Sequence, residues 1–462
     1  MGTDKNHSKG EIDMASQVKK MEGYDVVIAG GGPGGCVLAK DLAKMGKKVI
    51  IIEQGGNDIK GIGSPLGLYF GGHMEKAPFP KMFAETIEGH QVALGTGIGG
   101  GTFLYGGIAA YPDFKAFEEV GIDLKPYLED AKKETWVEEV PDEFVGPNTV
   151  RMMDVARELG FPFKKSIKHI KFSKCQYGCT KPTFGCPKGA KWMGKYAADE
   201  AEAHGAELLI YTKVRDVIIE DGVAVGVNAK SVKGDQEYEI RGKVVVCCGG
   251  GKGSALMLMK SGLVEAGTRL SGDPCFTSYG LLPKGSKGMG MEHGSVIDFV
   301  DDERGILFAN FITFSRFMWP MTVLTSKGLG AAIEAYKNYG RVAWMYIKIH
   351  DEGVGQIRWD GSISKTVTAR DEEKMNYCRW GTEKILTAMG CDPYSIHHTS
   401  FVLGHPSGSC PIGKVIDANL ETRIKGLFVC DVSSMPGAPS RPPVLTIVTL
   451  AKYFLPILLE RI

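Results

Sequence analysis

Short apolar runs broken by glycine turns open the chain. Tyr24-Asp25-Val26-Val27-Ile28-Ala29 is a β-branched run that predicts a strand, and it ends in Gly30-Gly31-Gly32-Pro33-Gly34-Gly35. Cys36 to Lys44 then carries apolar residues at helical spacing, and Lys48-Val49-Ile50-Ile51-Ile52 predicts a second strand that ends at Glu53. Strand, glycine turn, helix and strand within about thirty residues make a βαβ unit of the size a dinucleotide fingerprint needs.

Further along, Val150 to Gly160 is a helix candidate, and Leu208-Leu209-Ile210-Tyr211 and Val223 to Val227 predict strands around the Asp221-Gly222 turn. Lys243 to Cys248 predicts a buried strand that runs into Gly249-Gly250-Gly251 and a helix from Ser254. From about 271 to 400 the pattern changes to mixed strands and loops rich in aromatics. Residues 372 to 389 predict an amphipathic helix, Gly426 to Asp431 a strand ending in an acid, and Val444 to Ile462 a helix on the core. The expected fold class is α/β: a Rossmann-like nucleotide domain from 21–110, 165–270 and 400–462, with a mixed α+β substrate domain from 111–164 and 271–399. Residues 1–20, polar and without an apolar segment, are expected to be a disordered tail and not a signal peptide.

At 462 residues the chain exceeds the usual size of one domain, which fits two domains sharing a large core. Charged residues make up 24% and the formal net charge is +1, so nothing points to a nucleic-acid partner. Glycine departs from the ordinary: 62 residues is nearly twice the average usage of about 7%. Eleven cysteines, scattered or set in apolar runs, argue for reduced thiols and a cytoplasmic setting. The apolar stretch Ile306 to Leu324 is broken by Asn310, Arg316 and Pro320, a poor transmembrane span. Its aromatics, with Phe308, Phe311, Phe314, Phe317 and Trp319, read either as core or as an apolar pocket wall for a hydrophobic substrate.

Gly30-x-Gly32-x-x-Gly35 between a strand and a helix lets backbone N–H groups meet a pyrophosphate, because no Cβ blocks the approach and the helix dipole favours the anion. Glu53 at the end of the next strand is placed to accept hydrogen bonds from adenosine ribose hydroxyls. A second run, Gly95-Thr96-Gly97-Ile98-Gly99-Gly100-Gly101-Thr102, lies too far downstream to serve the same phosphates through the first helix. It suits a cofactor with a second polar end, such as a flavin; otherwise it is a glycine-rich hinge.

These segments, with Phe103-Leu104-Tyr105-Gly106-Gly107, the strand Val244 to Gly249, and the tail Gly404-His405-Pro406-Ser407-Gly408-Ser409-Cys410-Pro411-Ile412-Gly413, resemble the glucose-methanol-choline (GMC) oxidoreductases. Leu427 to Pro436 and Pro443 to Ile447 extend the resemblance, which is nearest to the cholesterol oxidase and long-chain alcohol oxidase branches and faint from about 271 to 350. It implies FAD as cofactor and hydride transfer from an alcohol carbon to flavin N5. It also implies roles for residues. Gly30, Gly32, Gly35 and Glu53 match the adenosine-diphosphate end, and Val214 sits where the family contacts adenine through its backbone. Gly100, Gly101 and Thr102 match the loop beside the isoalloxazine. Asp431 matches the acid near the pyrophosphate and ribityl chain, and Thr446 a position under the pyrimidine ring. His405 matches the active-site base, and an imidazole suits the task because its pKa lies near working pH.

The chain departs from the pattern at Pro442, where the family places a second His or an Asn; proline offers no side-chain donor or acceptor. Ser440, Arg441 or a residue of the middle domain is then needed in its place. Tyr105 replaces a frequent Asn. Cys175-x3-Cys179-x6-Cys186 sets three thiols within a dozen residues, the ligand type of iron–sulfur clusters, or else a set of soft packing residues. His73, His293, His397 and His398 lack metal-ligand spacing with acids, and neither a Gly-x-Ser-x-Gly elbow nor a Walker loop occurs. The expectation is an FAD-dependent dehydrogenase or oxidase acting on an alcohol, its electrons passing to oxygen or to an acceptor protein. A flavin-containing lyase or isomerase, and a flavoprotein subunit of a larger electron-transfer complex, are the alternatives.

Overall fold

The computed structural model describes residues 18–462 except 75–82, 180, 311–315, 317 and 440. Strand β1 (Lys19–Ala29) is fully enclosed from Val26 to Ala29, as a run apolar on both faces requires in a parallel sheet. After the glycine turn, helix α1 (Pro33–Lys44) begins with proline at its first position, where no N–H is missed. Strand β2 (Val49–Ile52) pairs with β1 in parallel, and helix α2 (Gly194–Ala203) leads into β3 (Glu207–Leu209) beside β2. Strands β4 (Thr212–Glu220), β5 (Val223–Ser231) and β6 (Glu237–Cys247) form an antiparallel meander. Strand β6 returns along the other edge of β1, and its C-terminal half also pairs in parallel with Leu427–Val429.

The sheet order β4-β5-β6-β1-β2-β3 puts β2 and β6 on opposite sides of β1. Two chain crossings therefore leave β1 in opposite directions, and the crevice beyond Ala29 and Cys247 is where a doubly wound sheet binds ligands. Helix α3 (Gly250–Lys260) starts at that crevice, and the C-terminal helix Val444–Leu459 packs on α1. Lys19 and Lys20 belong to β1, paired with Tyr238 and Glu239, so the tail expected over 1–20 stops short of them.

The second sheet is built on the antiparallel strands β7 (Pro274–Leu281), β8 (Ile297–Asp301), β9 (Ile306–Asn310) and β10 (Val342–Ile349). Helix Ala369–Ala388, opened by a Thr368–Asp371 capping box, covers one face. Phe308 and Trp319 are enclosed in this second core, which settles them as packing; Phe311, Phe314 and Phe317 lie outside the described residues. Short strands Ala84–Glu85, Gln91–Val92 and Val402–Leu403 join the same sheet, so the chain passes between the two layers several times. Among the described residues no helix is long and apolar enough to cross a membrane.

Candidate active site

The two glycine runs, distant in sequence, are woven together. Gly99 N–H donates to the Gly31 carbonyl at 2.7 Å, and a Cβ on Gly100 would lie 3.2 Å from Gly32 Cα. Glu53 makes the second tie: Oε2 accepts from Gly31 N–H at 2.7 Å, while Oε1 accepts from Gly55 and Gly97 N–H at 2.8 and 3.0 Å. Three of the roughly four lone-pair directions of this carboxylate are thus taken by backbone, which leaves room for one ribose hydroxyl. Gly30 has φ +114°, and a Cβ there would meet the Cys248 carbonyl oxygen at 2.4 Å; Gly35 would strike the Gly30 carbonyl oxygen at 2.8 Å. Only glycine permits this packing.

Thr102 caps the second run from inside. Its hydroxyl donates to Gly99 O at 2.5 Å and accepts from Gly194 N–H at 3.0 Å. Gly101, by contrast, has nothing within 4 Å of the position of a Cβ and faces open space. Beneath the loop lies a buried cation, Lys191, whose Nζ donates to the carbonyls of Thr102, Phe103, Tyr105 and Pro182 at 2.7–3.2 Å. Burial pushes its ammonium well below the ordinary lysine range. Tyr105 spends its hydroxyl on the Trp192 carbonyl at 2.7 Å, and so braces the same loop.

Part of the cysteine segment packs in a small apolar cluster. Cys186 is buried with Phe144, Ile170 and Phe172, and Cys175 packs against that cluster, its Sγ 3.9 Å from His293 Nε2. Among the described residues no three His, Cys, Asp or Glu side chains gather as a metal site. The iron–sulfur expectation for Cys175, Cys179 and Cys186 therefore finds no support among the described residues; burial pushes the Cys175 thiol up to about 11.

A cavity of about 680 Å³ runs from Gly30, Gly32 and Glu53, past Val214 on β4 and Gly100, Gly101 and Thr102, to His405. Asp431 borders it with both oxygens occupied. Oδ2 accepts from Gly250 N–H and Ser254 Oγ, and Oδ1 from Ser433 N–H and Oγ, all at 2.6–2.7 Å. This carboxylate ties the start of α3 to the turn after Leu427–Val429, and its burial pushes its pKa up against those bonds. The first turn of helix Val444–Leu459 opens on the cavity through Val444 and Ile447; Thr446 lies in that turn but is not part of the lining. Its unpaired N–H groups favour negative charge there.

These features fit FAD. The cradle excludes Cβ atoms where a pyrophosphate must approach, an open glycine and a helix N-terminus lie farther along, and one elongated space joins them to an imidazole.

His405 is fixed by backbone. Val402 and Leu403 pair with Cys275 and Pro274, His405 N–H donates to Gly272 O at 3.2 Å, and Ser271 and Ser407 exchange bonds at 3.0 and 3.1 Å. The ring's Nδ1 lies 3.4 Å from Asp273 Oδ2, which is itself 2.5 Å from Lys348 Nζ. These are charge contacts, not aligned hydrogen bonds. Burial, then the Lys348 charge, hold His405 below its ordinary pKa against the pull of Asp273, so the imidazole is neutral at pH 7.

Pro442 lines the cavity as the sequence led one to expect, without a polar group. Arg441 does not replace it: its guanidinium pairs with Asp302 and donates to the Tyr111 and Pro112 carbonyls. Ser440 lies outside the described residues. The polar groups beside His405 are Asp273 and Lys348, which sequence reasoning missed. A lysine inside the apolar strand Val342–Ile349 was the signal for them.

Two family models, both described as GMC oxidoreductase, match residues 24–275 and 366–451. The chain is 25% identical to long-chain-alcohol oxidase FAO3 of Arabidopsis thaliana over 92% of its own length and 66% of that protein, just under two thirds of it. It is 27% identical to the uncharacterized protein MJ1450 of Methanocaldococcus jannaschii, over 93% and 98% of the two chains. The crystal structure of pyridoxine 4-oxidase from Mesorbium loti has the same fold, with a TM-score of 0.70 at 17% identity over 94% of this chain and 99% of that one.

Proposed function

Because the chain belongs to the GMC oxidoreductase family, we propose that it oxidises the CH–OH group of an alcohol with FAD as cofactor and His405 as base. One observation carries the reading: an imidazole held below its ordinary pKa and the glycine cradle line one and the same cavity. When bound, FAD supplies a two-electron acceptor for the hydride that leaves the carbinol carbon. The protein's own part is to take the hydroxyl proton. With Nδ1 turned to Asp273, Nε2 is the nitrogen available to the substrate, and a neutral ring accepts without first losing a proton. Phe276, Met321 and Val402 line the cavity near the histidine, which supports an apolar alcohol; apolar walls also exclude water from the reacting centre.

A reducing, cytoplasmic setting belongs to the proposal, supported by eleven cysteines without a disulfide.

The test is anaerobic mixing of FAD-loaded protein with primary and secondary alcohols of rising chain length, followed by the visible flavin band. Bleaching that favours the longer alcohols is expected, with an acid limb set by His405 and lying below the ordinary imidazole range. A flavin left oxidised by the whole panel refutes the reading. Reoxidation in air, compared with an artificial carrier, tells oxidase from dehydrogenase.

A further inference from the structure

Three segments far apart in the chain converge behind the active-site imidazole. Asp273 comes from the turn before β7, Lys348 from β10, and His405 from the loop laid along that turn. Asp273 and Lys348 have no solvent exposure at all. A buried ion pair is seldom worth more than an apolar pair of the same volume, so its presence calls for a reason.

The backbone points the same way. Asp273 has φ +52°, the left-handed region that a residue with a side chain rarely adopts. The Asp351 carboxylate holds it there by accepting from Gly272 and Asp273 N–H at 3.0–3.2 Å, and Lys365 Nζ balances Asp351 at 2.9 Å. Two nested ion pairs and a strained turn thus present one carboxylate to one ring nitrogen. Gly404 N–H, bonded to the Asp273 carbonyl at 3.2 Å, locks the histidine loop to the same residue.

We propose that Asp273 is the positioning residue of the histidine: its carboxylate holds His405 in the Nδ1–H tautomer, leaving the Nε2 lone pair to face the cavity, and Lys348 fixes the carboxylate. This rests on the reading of His405 as base. The substrate hydroxyl proton goes to Nε2 while Nδ1 keeps its own, and the positive charge on the ring meets the Asp273 carboxylate. The separation of 3.4 Å is that of a contact that tightens when the ring becomes charged.

The charged and titratable groups around this centre are Lys348 and Asp273 for the ring, and His350, Asp351, Cys275 and Tyr346 around the pair. Asp273→Asn removes the negative charge yet keeps a residue that tolerates positive φ. It lowers the ring's pKa, so the acid limb of alcohol-dependent flavin reduction moves to lower pH. Lys348→Met removes the positive charge and moves the limb to higher pH. A purely structural role would not shift the two in opposite directions.

The experiment uses the full FAD-loaded chain with ring-¹⁵N histidine, whose His405 signals are identified by their loss in His405→Asn. The NMR arm needs no substrate; the kinetic arm uses 1-octanol under anaerobic conditions. The parent is expected to show the Nδ1–H tautomer. Asp273→Asn is expected to lose that fixed tautomer and to slow reduction at least about 100-fold, short of the ~10⁴ that such a change costs a Ser-His-Asp triad. Should Lys348→Met not fold, the Asp273→Asn/Lys348→Met double variant replaces the ion pair by a neutral one and is expected to be no slower than Asp273→Asn alone. If His405→Asn reduces as fast as the parent, the base assignment falls. If His405→Asn is dead while Asp273→Asn keeps both tautomer and acid limb, the role of Asp273 alone is overturned.

Discussion

A methyl group on Gly251 would lie 2.1 Å from the carbonyl oxygen of Pro406. The first turn of α3 and the histidine loop therefore touch backbone to backbone, and Ser409 seals the contact by donating to Gly251 O at 2.6 Å. Gly251→Ala must push the loop carrying His405 off the sheet. The expected cost is about 1–3 kcal/mol of stability, as for other overpacked sites. A larger loss in alcohol-dependent flavin reduction is expected, because the imidazole moves with the loop. Denaturant midpoints and anaerobic reduction rates, measured on the same preparation, check both.

Local chemistry made part of this site legible. The fingerprint Gly30 to Gly35, Glu53 and the strand Val244 to Cys248 declare themselves because a glycine turn between strand and helix has one economical geometry. That the second glycine run meets the first was not legible: the tie is a Glu53 carboxylate shared by Gly31 and Gly97, and spacing along the chain does not encode it. Asp273 beside His405 was hidden for the same reason, although Lys348 inside an apolar strand announced that a buried partner existed. The cysteine segment left two readings open because thiol spacing says nothing of direction, and Cys186 points into a hydrophobic cluster.

Glu53→Gln tests the knot between the glycine runs. Whichever way the amide turns, its NH₂ faces at least one of the N–H groups of Gly31, Gly55 and Gly97 that the carboxylate now satisfies. Losing charge-assisted bonds and leaving a buried donor unpaired is expected to cost about 2–4 kcal/mol. FAD affinity is expected to fall at least about tenfold, or ~1.4 kcal/mol, by fluorescence titration of apoprotein. An unchanged dissociation constant would show that the knot and the cofactor site are independent.

Lys191→Met separates the brace from the thiols. The substitution keeps the stem and leaves the Thr102, Tyr105 and Pro182 carbonyls without their donor, Phe103 O keeping Gly185 N–H, for an expected loss of about 3 kcal/mol or more and weakened flavin binding. Cys175→Ala and Cys179→Ala, at half-buried positions, are expected to stay within about 1 kcal/mol of the parent. Anaerobically purified protein should show the flavin spectrum without acid-labile sulfide.

Stability is expected to fall in mild acid, and two enclosed histidines set the slope. Burial pushes His169 and His293 down to about 3, and both are almost without exposure in the fold. In the unfolded chain each titrates near its ordinary value of about 6.5. Below that pH the unfolded state binds the extra protons, so these groups are harmless above about 6.5 and destabilising as pH falls toward 3. Each contributes about 1.4 kcal/mol per pH unit, together about 5 kcal/mol between pH 6.5 and 4.5, a large share of a typical folding free energy. Denaturant unfolding across that range at fixed, saturating FAD measures the slope. His293→Gln, which carries no titrating group in this window, is expected to lower it by about 1.4 kcal/mol per pH unit; a variant with the parent's slope would mean that His293 is protonated in the folded protein.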